Sequence, residues 1–479
     1  GTAVVLLGGA ASSQSYTELP SDVWQVNDIT PDGEIIVGSG VAGAFFWRWR
    51  TDPAPTFIGE SSATAVSDDG SVIGGQMIEA TTGREIAARW TASTGWVSLG
   101  AENSFASCGG SLSNVAAITG DGSMIVGGTW LNTCEHWVYM WTAAGGVELL
   151  EGIGDTSFWL TDNVRAVSDD GSTVVGFAQG NTARTPARWD TSTKLGTIPD
   201  MADWGEYYGV SSDARFLLGG RNGNAFYQEW DALQSAYVET NLGGLNPGWA
   251  SYAKVISESG GTIVGNDTLG LGSEAWVWNA QSGIVSLQQR LTSVGVAGVP
   301  LLGSPSAMTP DGMVVVGYTS FSAPWIVEMP PGPGALPYSC GLQNPPGSLV
   351  HVAGSASTGG TLTLGVDDPT GSMVAPAFGI VSFAGQPDPA YPCGTPIPGF
   401  GMFGASADLL ISLAGGNPFM QLMSPQQWTT PGTPVPVSFP VPNDTNLFGL
   451  ELYAQGALFS PSTFKIGLTN GMRIAIGLD

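Results

Sequence analysis

Thr64-Ala-Val-Ser-Asp-Asp-Gly-Ser-Val-Ile-Gly-Gly75, followed by Ala88-Arg89-Trp90 and by Trp96-Val-Ser-Leu-Gly100, is a unit that the chain rewrites along most of its length. It reads as four short strands. An apolar strand at 63–66 runs into Ser-Asp-Asp-Gly-Ser, where Asp-Gly supplies the positive φ that a tight hairpin demands. A second strand follows at 72–74, a third ends in Arg89-Trp90, and a Thr/Gly turn leads to the fourth at 96–99.

Six more copies keep the grammar, with turns at Thr30-Pro-Asp-Gly33, Thr119-Gly-Asp-Gly122, Ser168-Asp-Asp-Gly171, Ser211-Ser-Asp-Ala214, Ser257-Glu-Ser-Gly260 and Thr309-Pro-Asp-Gly312. Each is followed by an apolar strand that closes on glycine (Gly38, Gly127, Gly176, Gly219, Gly265, Gly317) and by a third-strand tryptophan (Trp49, Trp141, Trp189, Trp230, Trp278, Trp325). A spacing of roughly 40–50 residues is that of four-stranded propeller blades. Helical periodicity is nearly absent, which removes repeats built from helix pairs. The last copy runs into Pro330-Pro-Gly-Pro-Gly334 without a fourth strand, whereas Thr2-Ala-Val-Val-Leu-Leu-Gly-Gly9 resembles a fourth strand with no blade before it. Residues 2–8 are therefore expected to close the ring, because an incomplete blade leaves an unpaired edge. The expectation is an all-β chain: a seven-bladed β-propeller over 1–329, then a β-sandwich.

Ala166 to Gly176 with Ala187 to Trp189, and Ala65 to Gly75 with Ala87 to Trp90, resemble the HAF-type repeat of bacterial extracellular proteins, A-x-S-x-D-G-S-x-x-V-G…A-x-R-W. Gly74 departs from it, standing where the pattern has Val. The resemblance implies the fold and an extracellular setting, and it implies no catalytic residues. The Asp-Gly turns raise calcium as a candidate ion, but hairpin geometry alone accounts for Asp and Gly there, so no metal ligands and no cofactor are expected. The repeated tryptophans read as packing between blades.

The chain carries 40 acidic against 14 basic residues, a formal charge of −26, yet only 11% of its residues are charged. Such a balance argues against nucleic acid and anionic membrane surfaces as partners, and it repels anionic polysaccharides unless divalent cations bridge. Abundant glycine and proline beside 43% hydrophobic residues suit turn-rich β structure rather than disorder. Gly1 follows no methionine, and the chain is read as already processed. No apolar stretch reaches the roughly 18–20 residues of a membrane span. Cys108 and Cys134 fall in loop classes that open on one face of a propeller. Cys340 and Cys393 lie beyond it. Two disulfides, Cys108–Cys134 and Cys340–Cys393, are expected in an oxidising compartment.

Residues 330–347 read as a stiff, strand-excluding linker. From 348 to 479 a strand pattern resumes, with Gly360-Thr-Leu-Thr-Leu-Gly-Val366 and stretches at 377–383, 408–413, 436–439, 449–458 and 472–478. These spacings suit a sandwich of about eight strands. Phe439-Pro-Val-Pro-Asn-Asp444, Leu447-Phe-Gly-Leu-Glu-Leu-Tyr-Ala-Gln455 and Gly467-Leu-Thr-Asn-Gly-Met472 resemble the C-terminal sandwich module of secreted planctomycete-type proteins, which implies attachment or packing and no particular activity.

Chemistry is sparse. The chain has two histidines, His136 and His351, and no nucleophile elbow, Walker loop or zinc-protease motif. His136, in Cys134-Glu-His-Trp137, marks a pinned loop more simply than a base, and His351 alternates like a solvent-facing strand residue. The surplus is aromatic: Trp159, Trp204 and Trp249 each precede a first strand and Trp130 stands in the Cys134 loop, so these four with Tyr207, Tyr208 and His136 are expected on one rim of the ring. Such a rim either caps the gaps between blades or stacks on a ligand. The reading that follows is a secreted or cell-surface non-catalytic binding or scaffold protein, with a self-assembling filament or coat subunit as a variant. Its partner is an extracellular glycan, a protein or itself. The alternative is a polysaccharide lyase or glycosidase, which predicts His or Tyr beside Arg, or a carboxylate pair, at the pore.

Overall fold

The computed structural model describes residues 14–476 except 102–110, 132–134, 155–161, 180–183, 200–203, 232–233, 259, 271, 281, 294, 320–322, 330–333, 339–343, 346, 355, 391–392, 403–405, 414–419, 444–446 and 448–449. It divides into a unit spanning Gln14–Met329 and a second holding Pro330–Asp479.

The first unit contains seven four-stranded antiparallel sheets among its described residues. Sequence dictates their turns. In six copies the Ser or Thr that opens the turn donates to the Asp two residues on, as Thr30 does to Asp32 Oδ1 (2.6 Å) and Ser168 to Asp170 Oδ1 (2.6 Å). The same Asp oxygen accepts the backbone N–H two residues further along, 2.9 Å for Ser172. Glycine then takes the left-handed conformation, φ +69° at Gly171. The carboxylates are thus occupied in building hairpins, and among the described residues no group of three or more metal-ligating side chains forms.

The repeat glycine has a second cause. The first strand of every sheet breaks register by one residue opposite it: between Val26 and Asp28, Ala63 and Ala65, Val115 and Ala117, Val164 and Ala166, Tyr207 and Gly209, Ala253 and Val255, and Pro305 and Ala307. The bulge drives a carbonyl into the space a side chain would need. A Cβ on Gly176 would lie 1.9 Å from the Asn163 oxygen, and one on Gly127 1.9 Å from that of Asn114. Only glycine fits, as close backbone approach requires.

Third-strand aromatics follow the register less faithfully than their sequence spacing suggests. Trp90, Trp141, Trp189 and Trp278 oppose Ile73, Ile125, Val174 and Ile263. In the first copy the equivalent residue is Trp47, opposite Ile36, and not Trp49. In the fifth it is Gln228, opposite Leu217, so Trp230 lies two residues beyond and is 42% exposed. In the seventh it is Val327, while Trp325 faces Gly317 and fills the space that the glycine leaves. Trp189 is buried, and its indole donates to the Glu151 carbonyl of the preceding sheet's edge at 2.8 Å.

Closure is achieved by a different segment from the one expected. Ser15–Glu18 pairs with Pro324–Glu328, Ser15 opposite Glu328 and Glu18 opposite Trp325. Residues 2–8, assigned that role by pattern, lie outside the described residues. Ser15-Tyr-Thr-Glu18 lacks the apolar run and the Gly that mark Val97-Ser-Leu-Gly100, so composition gave it no mark. Leu19, Val26, Phe45, Val316 and Ile326 share one core, which joins the first sheet to the last.

In the second unit a five-stranded sheet and a three-stranded sheet bury one core, where Phe383 stacks on Phe439 with centroids 4.7 Å apart. The stretch expected to exclude strands contains one: Gly334–Tyr338 pairs with Lys465–Ala475 at the edge of the larger sheet. An edge position tolerates Pro337 because one side of the strand donates no ladder hydrogen bond. Leu349–Ala353, Thr395–Pro398 and Met420–Trp428 are strands beyond those read from the sequence. Cys393 is disulfide-bonded. Cys108, Cys134 and Cys340 lie outside the described residues. No helix among the described residues is long and apolar enough to cross a membrane.

Candidate functional site

The seven bulges converge. Because each leaves one first-strand residue unpaired, Asn27, Thr64, Ala116, Arg165, Tyr208, Lys254 and Ser306 occupy the same level, and all line one cavity of about 270 Å³. The sheets supply the frame and the bulges select the lining.

On the Asn27–Thr64 side the bulged residues are used to bridge sheets. Asn27 Nδ2 donates to the Ala63 carbonyl at 2.7 Å, and Thr64 Oγ1 to that of Val115 at 3.2 Å. One residue on, Asp28 accepts from Ile29 N and Val66 N, both at 2.9 Å. Burial lifts its pKa to about 7, and the distant charges of Asp169 and Asp68 add to the rise against those hydrogen bonds. At the turn end of the cavity Asp169 is likewise raised to about 6, by burial first and then by Asp68 and Glu258.

The opposite sector gathers cations and rings. Arg165 donates to Glu206 Oε2 through Nε (3.1 Å) and Nη2 (2.7 Å), while Arg184 Nη1 reaches Oε1 at 2.6 Å. Burial works to raise the Glu206 pKa, but the two guanidiniums prevail and hold it below the ordinary value. Lys254 Nζ sits 3.1 Å from the Tyr208 ring centroid and 5.3 Å from that of Tyr252. Burial, reinforced by Arg165 and opposed by Glu206, lowers its pKa to about 7. Burial also raises the Tyr208 phenol. Next to this cluster a pocket of about 370 Å³ opens between Arg184, Trp204, Glu206, Tyr208 and Tyr252.

The expected rim residues separate into four places. Trp204 and Tyr208 meet in that pocket, and Trp204 is 46% exposed. Its carbonyl accepts from Asn222 N in the adjoining second-to-third-strand turn at 2.8 Å, so those two loop classes do share one end of the sheet. Tyr207, by contrast, is fully buried and donates to Gln228 Oε1 at 2.7 Å: alternation along the strand turns it away from its neighbour. Trp130 and His136 form an edge-to-face pair with centroids 4.9 Å apart. His136 is buried with Nδ1 2.6 Å from the Asp162 carbonyl, and burial holds the imidazole towards its neutral form. Trp249 packs beside Gly272. Trp159 lies outside the described residues. Two contributors escaped the sequence reading. Lys254 carries no motif, and Trp24, 55% exposed, stands in a second register break between Val23 and Gln25.

No protein-family model matches the chain, and no curated protein matches it. Solved structures similar in fold include a chain of Kuenenia stuttgartiensis hydrazine synthase (14% identity, 68% of this chain and 99% of that one, TM-score 0.41). Also similar are an oligogalacturonate lyase in complex with manganese (14%, 67% and 94%, 0.44) and TolB from Acinetobacter baumannii (12%, 56% and 64%, 0.34). These are β-propeller proteins of mixed function, and the likeness is one of fold alone.

Proposed function

We propose that the chain is a non-catalytic binding protein that works outside the cell, a seven-bladed propeller carrying the recognition surface and a β-sandwich serving attachment or assembly. The resemblance to the HAF-type repeat and the disulfide at Cys393 support an oxidising, extracellular setting. One observation carries the binding reading. Trp24 and Trp204 stay 55% and 46% exposed at the same end of the innermost strands, while the charged groups beside Trp204 are consumed by one another in the Arg165–Glu206–Arg184 clamp. Aromatic surface left in water beside a saturated polar cluster is contact surface. The ligand is an extracellular glycan or protein, or a further copy of the chain. Array binding combined with light scattering tests this. Trp24→Ala with Trp204→Ala is expected to weaken ligand capture at least tenfold without lowering the melting temperature; unaltered capture would refute it.

A second reading has its own observation: Tyr208 beside Arg165 and an amine of pKa about 7 at the pore is the constellation that a polysaccharide lyase predicts. There Lys254 Nζ takes the proton α to a uronate carboxylate, the electron pair forms the new C=C bond, and the glycosidic oxygen leaves with the Tyr208 proton. Ultraviolet absorbance of an unsaturated product, abolished by Lys254→Met, would establish it in place of the first.

A further inference from the structure

The fifth copy of the repeat breaks the pattern in two ways and the fourth in one, and all three meet in one groove. Ala214 holds φ +57° where the other six turns carry glycine. A non-glycine residue is strained in that left-handed conformation. Trp230 stands off the packing register because Gln228 has taken its place to hold the Tyr207 hydroxyl. The preceding sheet ends in a fourth strand of only two residues, Gly196–Thr197, whereas its neighbour's is eight, Ala236–Gly243. The shortfall opens a groove of about 730 Å³ between the two sheets, within the roughly 300–1,000 Å³ of small-molecule sites.

Its surfaces are complementary to a sugar ring. Trp230 meets Tyr237 edge-to-face with centroids 5.1 Å apart and keeps 42% of its surface in water. Tyr237 is fixed by donating to the Ala214 carbonyl at 2.6 Å, so the strained turn and the aromatic pair support each other. Arg188 stacks its guanidinium 4.7 Å from the Tyr237 centroid and forms no ion pair with a described residue. Asp190 and Asp213 commit Oδ1 to their own turns, and Oδ2 of each has no described partner. An indole platform flanked by guanidinium donors and carboxylate acceptors is what vicinal hydroxyls require. Arg188 and Arg215 on the groove walls match Asp190 and Asp213 in number, and with −26 on the chain a neutral ligand fits better than an acidic one.

We infer that this groove is a binding site for a neutral, pyranose-containing oligosaccharide, separate from the channel mouth. Trp230 carries the ring, and Arg188 with Asp190 and Asp213 reads its hydroxyls. The test titrates the full chain with cellohexaose, laminarihexaose and mannohexaose, following tryptophan fluorescence and heat. At least one is expected to bind, at least tenfold more weakly to Trp230→Ala and to Arg188→Met, and undiminished to Phe464→Ala, which removes an exposed ring of the second unit. Calorimetric melting of each variant separates lost binding from lost folding, and Trp230→Phe, which keeps a platform, is expected to retain part of the affinity. Absence of binding to all three sugars, preference for an oligouronate, or equal loss in Phe464→Ala would overturn the assignment.

Discussion

Lys254 Nζ lies 3.1 Å from the centre of the Tyr208 ring, and the Arg165 guanidinium lies 5.4 Å from the same centre. The ammonium therefore gains a quadrupole contact and suffers a like charge at once. The chain has three lysines, so reductive ¹³C-methylation gives a resolvable spectrum. The Lys254 signal is expected to titrate near pH 7. Arg165→Gln removes the repelling charge and frees Glu206, so the midpoint should rise by at least about half a unit. A midpoint unmoved by that substitution would contradict the proximity.

Stability of the propeller unit should fall as pH rises from 5 to 7.5. Asp28, Asp162 and Asp169 have folded pKa values raised to about 7, 6 and 6. A raised carboxyl binds its proton better in the folded state, so its contribution is complete below about pH 4 and is lost as pH climbs through the folded value. The lowered Lys254 acts in a higher window: the unfolded chain holds the extra proton from about 7 upward, and stability recovers there as pH rises. Thermal melting at closely spaced pH values checks the sign. Asp169→Asn should flatten the acidic limb and raise the melting temperature at pH 7.5 by roughly 1–3 °C.

Gly176→Ala should be far costlier than Gly146→Ala. The first places a Cβ 1.9 Å from a backbone oxygen that the sheet cannot release, and the loss is expected at roughly 3 kcal/mol or more. The second adds a methyl to open space at φ +66°, a cost of about 1–2 kcal/mol. Urea titration of the two variants compares them directly. Equal costs would remove the bulge as the reason for the repeat glycine.

In the C-terminal unit Asp367 accepts the Trp428 indole N–H at 2.6 Å and Gly432 N at 2.9 Å, and Asp367 and Trp428 are buried. Asp367→Ala strands both donors and should cost roughly 2–4 kcal/mol. Trp428→Phe, which removes one donor together with its need, should leave the carboxylate half-satisfied and cost less. Calorimetric transitions of the Pro330–Asp479 unit distinguish the two.

Turn chemistry was the legible part of this chain. Ser/Thr-x-Asp-Gly announces itself because the hydroxyl, the carboxylate and the positive φ are local requirements, and local requirements select residue types. Register is not local. The displacement of Trp230 by Gln228 and the substitution of Trp47 for Trp49 follow from strand pairing, which spacing along one strand does not reveal. The channel lining was illegible for the same reason: a bulge constrains the glycine opposite it and leaves the bulged residue free to be Ala116, Arg165 or Lys254. Tyr207 and Tyr208 show how fine the distinction is, since adjacent residues of one strand ended in the core and at the pore. Closure by Ser15–Glu18 was hidden because pairing with the last sheet, rather than its own apolar content, holds that strand.

The closing pair has a mechanical consequence. Ser15 and Glu328 are register partners, and the chain continues outward from both at the same end of the ladder. Tension applied through the two chain ends of this unit therefore loads one rung at a time, a zipper geometry, and does not shear the ladder as a whole. The four-residue strand should peel at low force while six intact sheets remain. Pulled by its two ends, the unit would thus lengthen first by a small, reversible step, which optical-trap extension records would resolve before any global rupture.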